Sequence, residues 1–252
     1  MHTLRFTDKK ENTVMKGLLK FLPVALLSLS IIAAPFQRQA ATSEGPKVLQ
    51  PSKDATLIES PKGDIGSSKS ETIFVGRTGQ PEGSKRRGLI AFDIAGAIPA
   101  RSRILSAKLT MTVRISAGGD RPASVKLQRV LMNWDEGSSA SQGGRGAQAE
   151  SGDPTWIYSA YPTRRWSRPG GTFSPVASAN QMVKGAGVYT WNSSPRLVAD
   201  VQAWLNSPAK NFGWILIGDE SRAATAKVFH SRESSDEAAR PQLAVTFRPP
   251  AR

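Results

Sequence analysis

Alternation of apolar and polar residues is the main pattern in this chain. It is clearest at residues 107–115, where Ala, Leu, Met, Val and Ile alternate with Lys, Thr, Thr and Arg. A period of two over nine residues predicts a β-strand with one face in water. Residues 90–94 and 242–247 show the same alternation. The pattern predicts further strands at 55–59, 71–76, 188–192 and 227–232.

One segment changes phase. Within residues 125–134, the apolar positions carry odd numbers up to Leu127 and even numbers from Val130 onward. Because a shift of one residue turns every side chain to the opposite face of a strand, this change predicts a β-bulge near Gln128 or Arg129.

A single helix is predicted among the strands. Ser194 is a suitable N-cap and Pro195 suits the first turn. The apolar residues of this segment recur at helical spacing and lie on one face: Leu197, Val198, Val201, Trp204 and Leu205. The helix is expected to end before Pro208.

The order of these elements predicts the fold class. Residues 212–217 are apolar at odd and even positions, which is typical of a central strand covered on both faces. Together with the other strands and the short helix, it predicts an all-β fold, a jelly-roll β-sandwich. The exception is residues 135–187, a polar stretch without strand pattern, which we expect to be a long irregular loop. We expect its first half to be disordered or excursive, that is, to extend away from the domain.

The amino terminus has the features of an export signal. Lys16 and Lys20 precede an apolar run at residues 21–34 that is too short for a stable membrane anchor. We therefore predict a signal peptide at residues 1–34, with Met15 as an alternative start, a linker at 35–53 and the β-domain at 54–248. The expected location is secreted, extracellular or periplasmic, with no transmembrane anchor in the mature form.

The composition of the chain limits the classes of partner that it can be expected to bind. The chain carries 34 Lys and Arg against 20 Asp and Glu, and it has no Cys, so its stability rests on a core and not on disulfides. Without residues 1–34, 29 basic and 18 acidic residues leave a charge of +11. This charge favours an anionic partner. Export favours acidic polysaccharide or the cell envelope over nucleic acid, and solubility alone is the alternative explanation.

Candidate catalytic and metal sites are few. His230 is the single histidine outside the predicted signal, which excludes a multi-histidine metal site. Paired acids that could serve glycoside hydrolysis occur at Asp135–Glu136, Asp219–Glu220 and Glu233 with Asp236, but the sequence does not indicate that any two converge. No cofactor is predicted. Calcium could use the same oxygen ligands, although no EF-hand loop is present.

Several motifs in order resemble the DNRLRE domain of secreted bacterial proteins. They are GLIAFDIAGAIPARSRILSAKLTMTV, VLMNWDEG, DPTWIYSAYPTRRWSRPGGTF, ADVQAWLNSPAKNFGWILIGDE and FHSRESSDEAARPQLAVTF. The resemblance spans about residues 54–247. It implies a jelly-roll β-sandwich related to carbohydrate-binding modules, some of which bind acidic polysaccharides such as alginate through basic surfaces, and it implies no catalytic residues.

The family pattern can be carried over to individual positions. The matching residues are Trp134, Glu136, Thr155, Trp156, Trp166, Gly170, Gly171, Trp204, Asn211, Gly213, Phe229, Ser231, Arg232 and Glu233. Thr172 departs from the pattern, since the family commonly has Asp after the glycine pair. His230 occupies a position that varies in the family.

Residues 155–173, here called the aromatic segment, combine stacking surfaces with fixed positive charge. In one hypothesis the segment is a ligand platform, because aromatic rings stack on sugar rings and guanidinium groups bind uronate carboxylates. The predicted ligand-binding residues are Trp156, Tyr158, Tyr161, Arg164, Arg165, Trp166 and Arg168. In the other hypothesis it is a structural strap, with its aromatics in the core and its arginines paired with Asp135, Glu136 or Asp153.

Three functions are compatible with the sequence. The first is a secreted, non-catalytic protein that binds acidic, uronate-containing polysaccharide at the cell surface or in the matrix. The second is a polysaccharide lyase or hydrolase on the same scaffold, for which Tyr189, His230 and Arg232 could move a proton and neutralise a uronate. The third is a structural envelope or matrix protein.

Overall fold

A computed structural model describes residues 45–250, so the predicted signal peptide and the alternative start at Met15 lie outside the described residues. The strands are β1 (Lys47–Leu49), β2 (Lys53–Ile58), β3 (Ile65–Gly66), β4 (Thr72–Arg77), β5 (Lys85–Ala91), β6 (Arg103–Ser116), β7 (Ala123–Val130), β8 (Ala147–Gln148), β9 (Tyr158–Ala160), β10 (Arg164–Arg165), β11 (Phe173–Val183), β12 (Gly187–Trp191), β13 (Trp214–Ile217), β14 (Lys227–His230) and β15 (Gln242–Arg248). The helices are α1 (Ile94–Ala97), α2 (Pro195–Asn206) and two single 3-10 turns at Pro208–Lys210 and Glu237–Ala239.

Eleven strands form one antiparallel sheet that curls into two layers. The first layer contains β1, β15, β6, β12 and β14, and the second contains β2, β5, β13, β7 and β11. Strand β4 joins them, since it pairs with β14 on one side and with the start of β5 on the other. The predicted all-β sandwich is therefore confirmed.

The main core lies between the two layers. The first layer contributes the inward positions of the alternating strand β6, including Leu109, Met111 and Val113, and the second layer contributes Leu127 and Trp214 among others. From Ala107 to Val113 the buried positions of β6 follow the period of two that the sequence predicts, whereas Ile115, the last apolar residue of the pattern, is exposed. Among the polar alternates of this strand, Lys108 and Arg114 are exposed, and Thr110 and Thr112 are half-buried.

A second hydrophobic cluster covers the outer face of the second layer. This outer core consists of Ala55, Leu57, Leu89, Ala91, Val130, Trp134, Trp156, Trp166 and Ile215. Strand β13 pairs with β5 and β7, and it sends Trp214 and Leu216 to the main core and Ile215 to the outer core. The prediction of a central strand covered on both faces is confirmed.

The change from odd to even apolar positions near Gln128 does not come from a β-bulge in β7, as the sequence predicts. Strand β7 pairs with β13 without a register shift, and it sends Leu127 to the main core and Val130 to the outer core. The irregular pairing is on the other side of β7, where Ala177 lies opposite Gln128 and Ala179 opposite Leu127. The extra residues therefore belong to β11.

The predicted helix is α2. The hydroxyl of Ser194 accepts a hydrogen bond from the amide of Leu197 at 3.0 Å, and Pro195 occupies the first turn. Its buried apolar residues join the main core. The predicted strand at 90–94 is wrong at its end: the carboxylate of Asp93 caps α1, so β5 stops at Ala91.

Two further expectations need correction. The irregular loop predicted at 135–187 ends earlier, because residues from Phe173 onward form the eleven-residue strand β11. This strand lies at the edge of the second layer and much of it is exposed, so it lacks a regular apolar alternation. The predicted linker at 35–53 also includes sheet, since β1 pairs with β15 and β2 starts at Lys53. Within residues 45–250, no helix is long and apolar enough to cross a membrane.

Candidate functional site

The aromatic segment lies against the outer face of the second layer. Its strands β9 and β10 form a small hairpin. Two backbone hydrogen bonds attach the segment to the residues after β7, from Asp135 N to Ser159 O at 3.1 Å and from Leu131 N to Thr172 O at 2.9 Å. A third, from Gly170 N to Trp156 O at 2.6 Å, closes the segment on itself. The segment is thus held against the residues that follow β7 and is not an open loop.

Two of the predicted ligand residues are part of the outer core. Trp156 and Trp166 are 8% and 5% exposed. The indole nitrogen of Trp166 donates to the carbonyl of Thr155 at 2.9 Å, which satisfies its polar atom inside the cluster. Their rings therefore seal the outer face of the sheet, as the strap hypothesis expects, and they offer no open stacking face.

Arg164 is also part of the framework. Its Nη2 lies 3.0 Å from Oδ1 of Asp135, and its Nε donates to the hydroxyl of Ser159 at 2.9 Å. This ion pair is one of those that the strap hypothesis expects. It ties the hairpin to the segment that follows Trp134, so the charge of Arg164 is balanced within the chain.

Arg165 is different, because its guanidinium is exposed and stacked. It lies 5.1 Å from the ring centre of Tyr158 and donates from Nη2 to the phenolic oxygen at 3.2 Å. Tyr158 in turn packs edge-on against Tyr161, with 5.3 Å between ring centres. The guanidinium thus lies over the tyrosine ring while the side chain remains exposed to solvent.

Arg168 repeats this arrangement three residues further on. Its guanidinium lies 4.6 Å from the ring centre of Phe173, and its Nη2 donates to the carbonyl of Phe173 at 3.3 Å. Arg168 is exposed. Within residues 45–250, neither Arg165 nor Arg168 forms an ion pair with a carboxylate. We call Arg165 with Tyr158 and Arg168 with Phe173 the stacked arginine pair.

A second group of charged side chains lies where β2, the segment after Trp134 and the turn after β14 meet. This carboxylate cluster consists of Asp54, Glu136 and Glu233 together with Lys69 and Arg232. Arg232 binds Glu136 through Nε at 3.0 Å and Nη2 at 3.1 Å, and its Nε lies 2.9 Å from Glu233. Lys69 contacts Glu136 and lies 3.5 Å from Glu233. Asp54 accepts from the amide of Arg232 at 2.8 Å.

Burial dominates the electrostatics of this cluster. It raises the pKa of the Asp54 carboxyl well above its usual range, and the neighbouring charge of Glu233 adds to this shift. Burial also raises the pKa of Glu233. The cluster joins β2, the segment after Trp134 and the turn after β14, and Glu136 and Glu233 share the cations Lys69 and Arg232.

Asp153 organises the polar part of the long loop, which the sequence predicted as disordered or excursive. Its Oδ1 accepts from Ser68 Oγ at 2.9 Å and from the amides of Ser138 and Ser139 at 3.0 and 3.2 Å. Its Oδ2 accepts from the amide of Glu150 at 2.6 Å. The loop is therefore folded around one buried carboxylate instead of extending away from the domain.

The candidate catalytic residues have separate partners. Tyr189 Oη donates to the carbonyl of Gly185 at 3.0 Å, His230 Nδ1 lies 2.8 Å from Ser234 Oγ, and Arg232 binds Glu136. Strands β12 and β14, which carry Tyr189 and His230, pair with opposite edges of β6. The contacts do not bring the three groups together.

The paired acids also have cationic partners. Five of the six form ion pairs: Asp135 with Arg164, Glu136 and Glu233 with Arg232, Asp219 with Arg222, and Glu220 with Arg87. In the part of the chain that the structure describes, no group of three or more His, Cys, Asp or Glu side chains could hold a metal ion.

Sequence reasoning missed two residues of the site. Phe173 supplies the ring under Arg168. It belongs to the aromatic segment but is not among the predicted ligand-binding residues. Arg87 lies 4.7 Å from the ring centre of Trp156 and 5.5 Å from that of Phe173. A sequence pattern gives no indication of this contact, since Arg87 is far from the segment along the chain. The chain matches no model of a known protein family and no curated protein.

Proposed function

We propose that this protein is an exported, non-catalytic module of the DNRLRE type that binds acidic, uronate-containing polysaccharide. The observation that carries the proposal is the stacked arginine pair. Two guanidinium groups are exposed, held on aromatic rings and free of ion pairs with carboxylates of residues 45–250.

Stacking prepares these guanidinium groups for a ligand. A free arginine loses side-chain entropy when it binds, whereas a ring that already restrains the planar fork reduces this loss. The remaining N–H groups of Arg165 and Arg168 can then bind carboxylates in a bidentate manner. Because the segment beneath is anchored by buried Trp156 and Trp166, the two forks are presented by a rigid surface.

The surroundings favour binding over catalysis. The acids considered for hydrolysis are largely engaged in ion pairs, and Tyr189, His230 and Arg232 have separate partners. The excess of basic residues supports attraction of an anionic polymer over a distance set by ionic strength.

Affinity electrophoresis tests this proposal. The purified protein should be retarded in gels that contain a polyuronate, and the retardation should decrease as salt rises. A methyl-esterified form of the same polymer is the matched control, since it keeps the sugar rings and loses the charge. Absence of retardation in a panel of polyuronates, or equal retardation by the ester, would contradict the proposal. New unsaturated chain ends in the same samples would instead indicate a lyase.

A further inference from the structure

Part of the second layer lies outside the outer core, since Lys126 on β7 and Met182 on β11 are exposed. The aromatic segment covers the part that contains Val130 and Ile215. Beside it lies a groove of about 390 Å³, bounded by the strand pair β7–β11 and the loop after β13. Its lining includes Ser124, Lys126, Met182, Asp219, Glu220 and Arg222. This volume is within the range of small-ligand sites, about 300–1,000 Å³.

The groove is connected to the stacked arginine pair through a chain of contacts. The ring of Phe173 lies beneath Arg168 and 5.5 Å from the guanidinium of Arg87. Arg87 binds both carboxylate oxygens of Glu220, at 2.7 and 2.9 Å. Since Glu220 lines the groove, the groove begins where the aromatic segment ends.

The geometry of β7 gives the distance between the groove and the residues beside Arg168. Lys126 and Val130 are four residues apart on β7, so they lie on the same face of the strand. At about 3.3 Å per residue, their Cα atoms are about 13 Å apart. Val130 pairs with Phe173, the residue under Arg168. One extended polymer chain can therefore contact Arg168 and the groove at the same time.

The groove has groups that suit a sugar ring. Met182 is 50% exposed and offers an apolar contact for a C–H face. Lys126 is exposed and forms no ion pair among the residues that the structure describes. The ion pairs Arg222–Asp219 and Arg87–Glu220 hold the loop after β13, which forms one side of the groove. Asp219 remains an ionised acceptor, because its hydrogen bonds with Ser221 hold its pKa at about 2.

We propose that this groove is a second subsite, which takes a sugar residue of the same acidic polysaccharide chain that binds to the stacked arginine pair. This inference rests on the proposed function. It makes binding dependent on chain length, because a ligand that reaches both surfaces gains the second contact without a second loss of translational freedom. Short ligands reach only the arginines.

Titration calorimetry with oligouronates of increasing length tests the subsite. The variant is Lys126→Ser with Met182→Ser. The matched control is Lys47→Ser with Val48→Ser, which removes a lysine and an exposed apolar residue from a shallow groove elsewhere on the surface. We expect the variant to weaken binding of long oligomers about tenfold and to leave disaccharide binding and the melting temperature unchanged. The control should leave both affinities unchanged.

The outcomes separate the two proposals. If long oligomers bind the Lys126/Met182 variant as tightly as wild type, or if the control variant weakens binding equally, the subsite is wrong while the proposed function stands. If the wild type binds oligomers of no length, both proposals fail.

Discussion

Arg87 and Glu220 form a bidentate ion pair at 2.7 and 2.9 Å under the edge of the aromatic segment. Arg87 also donates to the carbonyl of Gly170 at 2.7 Å. One side chain thus joins the second layer, the aromatic segment and the loop after β13. Both partners are less than a fifth exposed, so solvent screens this pair less than a surface pair.

Glu220→Gln should therefore lower the free energy of unfolding by about 1.5–3 kcal/mol, as expected for hydrogen bonds to a charged group. In a double-mutant cycle with Arg87→Met, urea denaturation should give a coupling energy above about 1 kcal/mol. The matched pair Arg240–Glu237, in which Glu237 is 79% exposed, should give less than this. Equal coupling in the two cycles would rule out the anchoring role of Arg87.

Trp166→Ala tests the structural role of the aromatic segment. The indole is buried and its nitrogen is hydrogen-bonded, so its removal should cost about 3–5 kcal/mol in the free energy of unfolding. Arg165→Ser and Arg168→Ser remove exposed groups and should each change it by less than about 1 kcal/mol. Chemical denaturation measures all three. A small effect of Trp166→Ala would mean that the indole is not a core residue.

Gly137→Ala tests the arrangement around Asp153. Gly137 has φ of 67°, and an added Cβ would lie 2.1 Å from Asp153 Oδ1. Gly119 is the control, since it has φ of 57° and no atom within 4 Å of the added Cβ. Both alanines strain the backbone by about 1–2 kcal/mol. We expect a clearly larger loss of melting temperature for Gly137→Ala, and similar losses for both would show that Asp153 does not constrain the loop.

Asp54 should make stability depend on pH. Since its pKa is higher in the folded than in the unfolded chain, the folded state binds the proton more strongly. Its contribution is thus fully present below the unfolded pKa of about 4 and is lost as pH rises towards the folded value. Asp54→Asn keeps an oxygen that can accept from Arg232, so this variant should gain stability relative to wild type between pH 4 and neutrality.

Thermal denaturation at a series of pH values checks this expectation. A difference between Asp54→Asn and wild type that does not change with pH would contradict it. Asp219→Asn is a control of opposite sign. Because the pKa of Asp219 is lowered to about 2, this variant should be less stable than wild type above pH 4, and the difference should disappear as pH falls towards 2.

The sequence predicts the elements that bury a regular apolar pattern. The alternation in β6 and the capped, amphipathic helix α2 are local features, and both occur as predicted. Strand β11 and helix α1 were missed for physical reasons. Strand β11 is an exposed edge strand. Helix α1 depends on a single cap from Asp93, and this residue lies within a segment whose apolar residues alternate as in a strand.

The sequence predicts which segment contains the candidate site, but not which side chains of that segment are exposed. Composition identifies aromatic rings and guanidinium groups at residues 155–173, but only the fold separates buried Trp156 and Trp166 from exposed Arg165 and Arg168. The strap hypothesis names Asp135 as a possible partner of these arginines, but the sequence does not indicate that Arg87 packs on Trp156. Such contacts follow from sheet packing and leave no local pattern.

The dissociation constant of the Arg165→Ser/Arg168→Ser double variant for a polyuronate, measured at low salt, tests the central claim most directly. The matched control is Arg103→Ser/Arg196→Ser, which removes the same charge from exposed positions outside the aromatic segment. We predict that the first variant loses binding at least tenfold while its melting temperature stays near that of wild type, and that the control retains wild-type affinity. Equal affinity of the two variants would show that the stacked arginine pair does not bind the ligand.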